Sequence, residues 1–294
     1  MGFGGSNQPA CQTNTDGGTL PNAMSDTVDA KTISSHWNRE NLGEKILDAL
    51  AAAGKRLDAL TVDDLAVTDQ FHGGGKPATV RLARLAALPP GTRVLDVGGG
   101  LGGPARTLAA EFGCRVTVID LTESYVRAAT MLTERVGLAD RVSHRVGNAL
   151  ELPFDEDAFD AVWTQNSGMN IADKERLYAG LRRVLKPGGL LALQEPMAGP
   201  NQPPVFPVMW ARVASQSFLR PPEEMRAVIE RTGFRARAWD DVTMETAPPT
   251  GNPVPAHSAQ RIIMGDGLEA ISRAGQRNRE EGRIVMVQAV FERL

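Results

Sequence analysis

The stretch Arg93-Val94-Leu95-Asp96-Val97-Gly98-Gly99-Gly100-Leu101-Gly102-Gly103-Pro104 decides the fold of this chain. A short apolar run ends in an acid and breaks into a glycine-rich turn, after which a helical pattern begins. This arrangement is typical of a buried parallel strand that carries a ligand at its carboxyl end. Gly98, Gly100 and Gly102 allow a positive φ and leave no Cβ between the backbone and a ligand. The stretch therefore predicts an α/β fold with a nucleotide-like ligand beside the turn.

Two ligand-binding patterns fit these glycines. Gly98, Gly100 and Gly103 match the dinucleotide pattern G-x-G-x-x-G. Asp96, Gly98, Gly100 and Gly102 match the pattern D-x-G-x-G-x-G of S-adenosylmethionine-dependent methyltransferases. A tight strand-to-helix turn without any ligand is the third interpretation. The rest of the chain has to decide between them.

Outward from this turn, strand patterns and helix patterns alternate along the chain. Strands are predicted at residues 93–96, 115–120, 142–146, 159–164, 190–194, 235–242 and 284–291. Helices are predicted between them at residues 104–112, 123–136, 173–185 and 221–232. This alternation predicts a doubly wound, mostly parallel sheet with right-handed crossovers.

The composition divides the chain into three predicted segments. Residues 1–32 are polar and poor in large apolar side chains, so we expect a disordered leader. Residues 33–90 carry apolar side chains at helical spacing and predict an N-terminal helical cap. Residues 91–294 form the ligand-binding domain, with long inserts at 197–220 and 245–282. Because ligands bind at the carboxyl edge of such sheets, we expect the cap and the inserts to cover a substrate, unless they merely close the core.

Charge, hydropathy and cysteine content exclude several classes of function. The chain has 294 residues and a formal charge of −3, which gives no reason to expect a nucleic-acid partner. No apolar run approaches the roughly 20 residues of a membrane span. The two cysteines, Cys11 and Cys114, form neither a disulfide framework nor a zinc-ligand pattern, so we expect a cytoplasmic protein without a metal.

Polar residues follow three of the predicted strands. Asp120 ends the second strand about twenty residues after the glycines, where a carboxylate binds the hydroxyls of a ribose or caps the next helix. Asn148-Ala149 follows the third strand, where it meets an adenine edge or forms a plain turn. Gln165-Asn166-Ser167 follows the fourth strand, and three polar side chains leaving a buried strand are costly unless they are paired. We therefore interpret this last group as part of the site.

Taken together, these motifs resemble class I S-adenosylmethionine-dependent methyltransferases. The resemblance covers residues 68–243 and rests on the glycine turn, on Val118–Thr122 and on the turn Arg183-Val184-Leu185-Lys186-Pro187-Gly188-Gly189. Further stretches resemble the small-molecule branch that includes glycine, sarcosine and dimethylglycine methyltransferases and the tocopherol and quinone methyltransferases: Asp69–Gly74, Trp163–Asn166 and Met169–Lys174. This resemblance implies a Rossmann-like sheet of seven strands with the last strand antiparallel.

The resemblance also implies cofactor contacts, residue by residue. Asp96, Gly98 and Gly100 would line the methionine part of S-adenosylmethionine. Asp120 would hold the ribose and Leu121 would lie against the adenine. The remaining implied contacts are Asn148 and Ala149 at the adenine edge and Gln165 beneath the cofactor near the methyl group. The family has an acid where this chain has Asn148, which leaves the adenine contact open.

Methyl transfer needs a general base only if the acceptor atom is protonated. His72 lies in the glycine-rich loop expected to cross the cofactor, and Glu195 ends the fifth predicted strand and is expected to point toward the same cleft. Asn166 can orient an acceptor without titrating, and His257 lies in the second insert. For each of these residues a purely structural hydrogen bond is the competing interpretation.

The acceptor itself is predicted only as a small molecule, methylated on nitrogen, oxygen or carbon. Phe71, Phe206 and Trp210 are candidates for an apolar or cation–π wall around it, or for ordinary core packing. Two other functions stay open: a catalytically silent partner protein with this fold, and an NAD(P)-dependent oxidoreductase, which needs a Tyr or Lys donor near Asn166. The inserts also offer surface for a homodimer.

Overall fold

The computed structural model describes residues 1–2, 36–248, 255 and 257–294. The predicted leader therefore lies outside the described residues except for its first two positions. The helices are α1 (Leu42–Ala52), α2 (Val62–Asp69), α3 (Gly75–Ala86), α4 (Gly103–Glu111), α5 (Glu123–Arg135), α6 (Lys174–Val184), α7 (Pro222–Arg231), α8 (Ala259–Met264) and α9 (Leu268–Glu280). The strands are β1 (Arg93–Val97), β2 (Arg115–Asp120), β3 (Val142–Val146), β4 (Phe159–Gln165), β5 (Leu185–Ala198), β6 (Phe234–Asp241) and β7 (Ile284–Arg293).

The seven strands form one sheet in the order β3-β2-β1-β4-β5-β7-β6. Strands β1 to β5 pair in parallel, and β7 runs antiparallel to both β5 and β6. This confirms the predicted doubly wound sheet with its antiparallel last strand. The strand order reverses direction between β1 and β4, so a crevice opens at their carboxyl ends, where such sheets bind ligands.

Strand β5 differs from its prediction at both ends. Its first residue, Leu185, already pairs with Phe159, and the ladder resumes at Leu190 opposite Ala161 after a register shift. The turn Pro187-Gly188-Gly189 follows α6 closely and forms this irregularity within the strand. At the other end the strand continues to Ala198, because β7 supplies hydrogen-bond partners along that whole length.

Local signals in the sequence start two of the helices. Thr61 accepts a hydrogen bond from the Asp64 amide, and the Asp64 carboxylate accepts one from the Thr61 amide, which forms a capping box at the start of α2. Asp173 accepts from the Arg176 amide at the start of α6. These caps satisfy amide groups that would otherwise lack a partner in the first helical turn.

Helices cover both faces of the sheet. On one face, Leu82 of α3 and Leu108 of α4 pack against Val94, Val116 and neighbouring strand residues. On the other face, α6 and α7 pack against the alternate strand side chains. Helix α3 thus belongs to the layer beside the sheet, although the sequence grouped it with the N-terminal cap.

The cover over the carboxyl edge comes from three parts of the chain. Helices α1, α2 and α8 pack with α5 in a separate apolar cluster. The insert after β5 forms a smaller cluster around Trp210. Helix α8, which the sequence did not indicate, begins with Ser258 accepting from the Arg261 amide. Over the described part of the chain, none of the helices has the length and apolarity that crossing a membrane requires.

Candidate active site

A cavity of about 220 Å³ lies at the carboxyl ends of β1, β2 and β4, under the cover. It contains every residue that the sequence assigned to the cofactor. Its lining includes Asp96, Gly98, Gly100, Asp120, Leu121, Asn148, Ala149 and Gln165. Of the three candidates for catalysis, His72 and Asn166 line it as well.

Gly98, directly after β1, lies against Ser167 in the loop after β4. Its φ is +72°, and its amide donates to the Ile119 carbonyl at 2.8 Å. A Cβ at this position would lie 2.4 Å from the Cβ of Ser167, just after β4. Both the conformation and the lack of space therefore require glycine here. The loop after β4 is held directly against the turn after β1.

Asp96 is a buried acid that lacks a full set of partners. It is 1% exposed, and its Oδ2 has no hydrogen-bond partner. Burial, with the nearby Asp120 carboxylate as a second cause, raises the pKa of Asp96 to about 8. A buried polar oxygen without a partner is costly, and a donor or a cation placed beside it would relieve that cost.

Asp120 is held in place by the backbone. Its Oδ2 accepts from the Gly100 amide at 2.9 Å, and its Oδ1 accepts from the Thr122 amide at 2.8 Å. Burial raises the pKa of this carboxyl, while the Thr122 and Gly100 amides lower it. Each carboxylate oxygen keeps a further acceptor position, so the side chain is fixed yet able to accept from hydroxyl groups of a ligand.

Asn148 turns its carbonyl oxygen away from a ligand. Oδ1 accepts from the Leu150 amide at 3.0 Å, which leaves the Nδ2 hydrogens of this cavity-lining residue for other partners. The family pattern has an acid at this position, which only accepts. Here the side chain offers donors instead.

Gln165 has its amide orientation fixed by a neighbour on the same strand. The indole Nε1 of Trp163, which can only donate, donates to Gln165 Oε1 at 3.0 Å. The Nε2 group of Gln165 therefore faces His72 Nδ1 at 3.3 Å and Gln194 Oε1 at 3.3 Å. With the Gln70 contact described next, this favours a lone pair on His72 Nδ1, whereas the Gly73 carbonyl oxygen, 3.1 Å from the same nitrogen, favours a proton there.

The other nitrogen of His72 is engaged too. Its Nε2–H donates to Gln70 Oε1 at 2.9 Å. The Gln70 amide is oriented by Thr107, which donates to Gly103 O and accepts from Gln70 Nε2. Burial lowers the pKa of His72 to about 4, so the ring is neutral near pH 7. Both ring nitrogens contact glutamine side chains, which favours a positioning role over proton transfer.

The expectation that Glu195 points toward the cleft is wrong. Glu195 is 2% exposed and does not line the cavity. Its Oε1 accepts from the Ser167 and Gly168 amides at 3.2 and 2.9 Å and from Thr164 Oγ1 at 3.1 Å. Because β5 continues to Ala198, Glu195 lies within the sheet rather than at the end of a strand. Through these hydrogen bonds it stabilises the loop after β4.

Two other predicted groups also lie away from the cavity. Trp210 and Phe206 pack in the apolar cluster of the first insert, and the Trp210 indole donates to Ser217 Oγ at 2.9 Å. His257 does not line the cavity. Phe71 is the one member of the predicted aromatic wall that does. Asn166 lines the cavity with a positive φ of 55°, a conformation that Asn adopts more readily than most residues.

Trp37, Tyr125 and Asn170 also line the cavity, although the sequence analysis assigned none of them to the site. The Trp37 ring packs edge-on against Phe71 and Tyr125, with centroid distances of 5.8 and 6.5 Å. The Tyr125 hydroxyl is buried without a hydrogen-bond partner. Tyr125 lies in the first turn of α5, a few residues after Asp120 at the end of β2. This closeness in the sequence was the one feature from which its place in the site could have been predicted.

A buried ionic network ties the cover to the glycine turn. Arg106 and Asp69 pair at 2.8 Å with side-chain exposures of 0% and 1%. Burial raises the pKa of Asp69 to about 6 despite the opposing effect of Arg106. The backbone of Asp69 also lies against Gly103, where a Cβ would be 2.4 Å from the Asp69 carbonyl oxygen. The end of α2 therefore rests directly on the start of α4.

Comparison with known proteins agrees with this architecture. Residues 95–193 match the family model described as a methyltransferase domain. The chain is 38% identical over 118 residues to glycine/sarcosine/dimethylglycine N-methyltransferase of Actinopolyspora halophila, covering 40% of this chain and 21% of that protein. It is 41% identical over 111 residues to 2-methyl-6-phytyl-1,4-hydroquinone methyltransferase of Synechocystis sp., covering 38% and 34%. The chain thus spans well under half the length of these relatives.

Among solved structures, geranyl diphosphate C-methyltransferase from Streptomyces coelicolor A3(2) superposes with a TM-score of 0.64 and 20% sequence identity. The match covers 90% of this chain and 98% of that one. It confirms the predicted Rossmann-like fold. The family match, over residues 95–193, agrees with this fold.

Proposed function

We propose that this protein transfers a methyl group from S-adenosylmethionine to a small-molecule acceptor. The observation that carries the proposal is the pair of buried acids at the ends of β1 and β2. Asp96 keeps an oxygen without a partner, and Asp120 keeps acceptor positions beside the Gly100 amide. These groups suit the ammonium end and the ribose hydroxyls of the cofactor, and the relatives above carry methyltransferase names.

The residues that would hold the cofactor follow from this match. Asp96, Gly98 and Gly100 would contact the methionine part, with the Gly98 turn held against Ser167 because Gly98 has no Cβ. The remaining contacts would be Asp120 at the ribose, Leu121 at the adenine face, Asn148 and Ala149 at the adenine edge, and Gln165 beneath the methyl group. Asn148 would donate from Nδ2 to a ring nitrogen, because its Oδ1 already accepts from the Leu150 amide.

The cofactor, when bound, supplies a methyl group already activated on a sulfonium, so the protein mainly has to position the acceptor and exclude water. Correct alignment alone contributes roughly 7–11 kcal/mol to such reactions. The network of Trp163, Gln165 and His72 fixes the floor of the cavity. Trp37 and Phe71 supply an apolar cover. Of the three catalytic candidates, Asn166 is then the side chain placed to orient an acceptor, while His72 and Glu195 act as positioning residues.

Among the described residues, neither Tyr178 nor Lys174 supplies the donor that the alternative oxidoreductase function needs near Asn166. Tyr178 is fully buried and does not line the cavity. Lys174 donates its Nζ hydrogens to the carbonyls of Gly168 and Ile171. Neither residue reaches a substrate near Asn166. Two finer expectations remain proposals: a cytoplasmic location, supported by the free buried thiol of Cys114, and assembly as a homodimer.

Calorimetry with the full chain tests the proposal. We expect S-adenosylhomocysteine and S-adenosylmethionine to bind with measurable heat and NADH to bind without it. Asp120→Ala is expected to weaken S-adenosylhomocysteine at least tenfold, whereas Asp140→Ala, on the loop before β3, should leave it unchanged. Binding of NADH instead of S-adenosylhomocysteine would overturn the proposal. A labelled methyl donor and a metabolite extract then report transfer, which separates an enzyme from a silent partner protein.

A further inference from the structure

A second cavity, of about 570 Å³, lies outside the first, and we call it the outer groove. Each of the three covering parts of the chain contributes to it. Its lining consists of His36, Arg39, Arg212, Gln216 and residues 262–265. It contains two arginines and a histidine and no carboxylate, which makes it a positively charged space.

The two guanidinium groups of the outer groove have donors to spare. Arg39 donates Nε to Ile263 O at 2.8 Å and Nη1 to His36 O and Asn38 O at 2.9 and 2.7 Å. These bonds fix the side chain and use three of its five N–H groups, so the two hydrogens of Nη2 are left. Within the described part of the chain, the Arg212 guanidinium has no hydrogen-bond partner; only its backbone amide donates, to Gln216 Oε1 at 2.9 Å.

The outer groove is built onto the wall of the inner cavity. Asn170, which lines the inner cavity, donates from Nδ2 to Gln216 O at 3.2 Å and to Trp210 O at 2.9 Å. This holds the loop of Arg212 and Gln216 at a set distance from the cavity. On the opposite side, Trp37 lines the cavity, and the adjacent His36 lines the groove. Neighbouring and hydrogen-bonded residues therefore line the two spaces.

The charge of the groove also acts on His36. Burial lowers the pKa of this imidazole; its contact with the Met209 carbonyl opposes that change, and Arg39 and Arg212 lower the pKa further. Two guanidinium groups thus face the His36 imidazole, and the described lining holds no carboxylate. An arrangement of this kind is relieved by a bound anion, and the guanidinium fork matches a carboxylate or a phosphate in two-point contacts.

We propose that the outer groove binds the anionic end of the acceptor, a carboxylate or a phosphate, while the end to be methylated enters the inner cavity. The proposal rests on the methyl transfer proposed above and specifies the substrate class: an elongated molecule with an acidic head. Its middle would pass Trp37, which lines the inner cavity next to the His36 of the groove. The groove thereby supplies binding energy remote from the reacting atom, which serves to orient that atom.

The test uses the full chain saturated with S-adenosylhomocysteine and three probes of equal chain length: octanoate, octyl phosphate and 1-octanol. Calorimetry measures each affinity for the wild type, for Arg212→Gln and for the control Arg226→Gln. Arg226 lies on α7 in an exposed pair with Glu230, so its loss changes the net charge equally without touching the groove. We expect at least one anion to bind about tenfold more tightly than octanol, which matches one charge-assisted hydrogen-bonded contact.

The two variants are expected to differ in their affinity for the anions. Arg212→Gln should remove most of the anion's advantage and leave octanol unchanged, and Arg226→Gln should behave as the wild type. The tighter of the two anions identifies the head group as carboxylate or phosphate. Equal affinity for octanol, equal effects of the two substitutions, or no anion binding by a protein that binds S-adenosylhomocysteine would overturn the inference alone. Failure to bind S-adenosylhomocysteine would overturn the proposed function as well, and the two failures are therefore distinguishable.

Discussion

Arg106 and Asp69 form an ion pair sealed from solvent, in which Arg106 Nη2 lies 2.8 Å from Asp69 Oδ2. Arg106 also donates to Ala129 O and Thr133 Oγ1 at 3.2 and 2.9 Å. One side chain on α4 thus connects α2 of the cover with α5 beside the cofactor site. The cover and the binding turn are parts of one bonded unit rather than a lid laid over a finished domain.

Loss of this pair is expected to be severe. Arg106→Gln leaves the Asp69 carboxylate buried without a counter-charge, which costs about 3–5 kcal/mol. Urea unfolding at pH 7 measures the free energy of unfolding. Arg127→Gln is the matched control because Arg127 pairs with Glu123 on the exposed face of α5, where a pair contributes about 0.5 kcal/mol. Similar losses in the two variants would contradict the role assigned to Arg106.

A methyl group added at Gly98 would cause both backbone strain and a steric clash, whereas one added at Gly91 would cause the strain alone. Gly98→Ala is strained both by the φ of +72° and by contact with Ser167, so we expect a loss of unfolding free energy well above 1 kcal/mol together with weaker binding of S-adenosylhomocysteine. Gly91→Ala shares a positive φ of +86° but meets nothing within 4 Å. It should lose about 1 kcal/mol and bind normally. Normal binding by Gly98→Ala would show that the turn tolerates displacement.

The buried carboxyl of Asp96 is expected to lower the free energy of unfolding near neutral pH and to strengthen binding of the cofactor. An acid whose pKa is about 8 when folded and about 3.9 when unfolded keeps its proton only in the folded state between those pH values. The stability that it contributes is therefore lost as pH rises from about 4 to about 8, by at most about 1.4 kcal/mol per unit. Asp96→Asn removes this dependence, so the variant should exceed the wild type in stability by a margin that grows from pH 5 to pH 7.

The same variant should bind S-adenosylhomocysteine at least tenfold more weakly, because Asn lacks the charge that faces an ammonium group. Unfolding curves at pH 5, 6 and 7 together with calorimetry check both halves of this prediction. A stability difference that is constant with pH would mean that Asp96 is ionised in the unliganded protein.

His72 gives the opposite sign. Its pKa is about 4 when folded and about 6.5 when unfolded, because burial disfavours the charged ring. The stability that it contributes is present above pH 6.5 and is lost as pH falls toward 4. The difference in unfolding free energy between the wild type and His72→Gln should therefore shrink by about 1.4 kcal/mol per unit as pH falls below 6.5. Nitrogen chemical shifts should show a neutral ring, protonated on Nε2, at pH 6; a titration near 6.5 would refute the assignment.

The sequence predicted the parts of the site that depend on backbone position. Asp96, Asp120 and Gln165 stand at strand ends, and the carboxyl ends of parallel strands share one edge, so their convergence needs no knowledge of packing. Glu195 was misplaced because the same rule was applied to a strand that does not end there. The extension of β5 depends on pairing with β7, almost ninety residues later, which no local pattern reports.

Residues of the cover were harder to predict for a related reason. Trp37 and Asn170 reach the cavity through contacts between segments far apart in the chain, such as the bonds from Asn170 to Trp210 and Gln216. Phe206 and Trp210 had the composition of a substrate wall but fill the core of the insert. Aromatic side chains serve both purposes equally well, and only the three-dimensional arrangement distinguishes them.

Gly103 is a glycine of the turn that is required by packing against the cover. It is the residue that allowed the turn to match the dinucleotide pattern, and its lack of a side chain is required by the Asp69 backbone 2.4 Å from where a Cβ would stand. The glycine at position 103 is therefore explained by its contact with the Asp69 backbone and not by a ligand. A chain engineered to carry a different cover is freed from glycine at this position, whereas one that keeps the cover must keep the glycine whatever cofactor it is redesigned to bind.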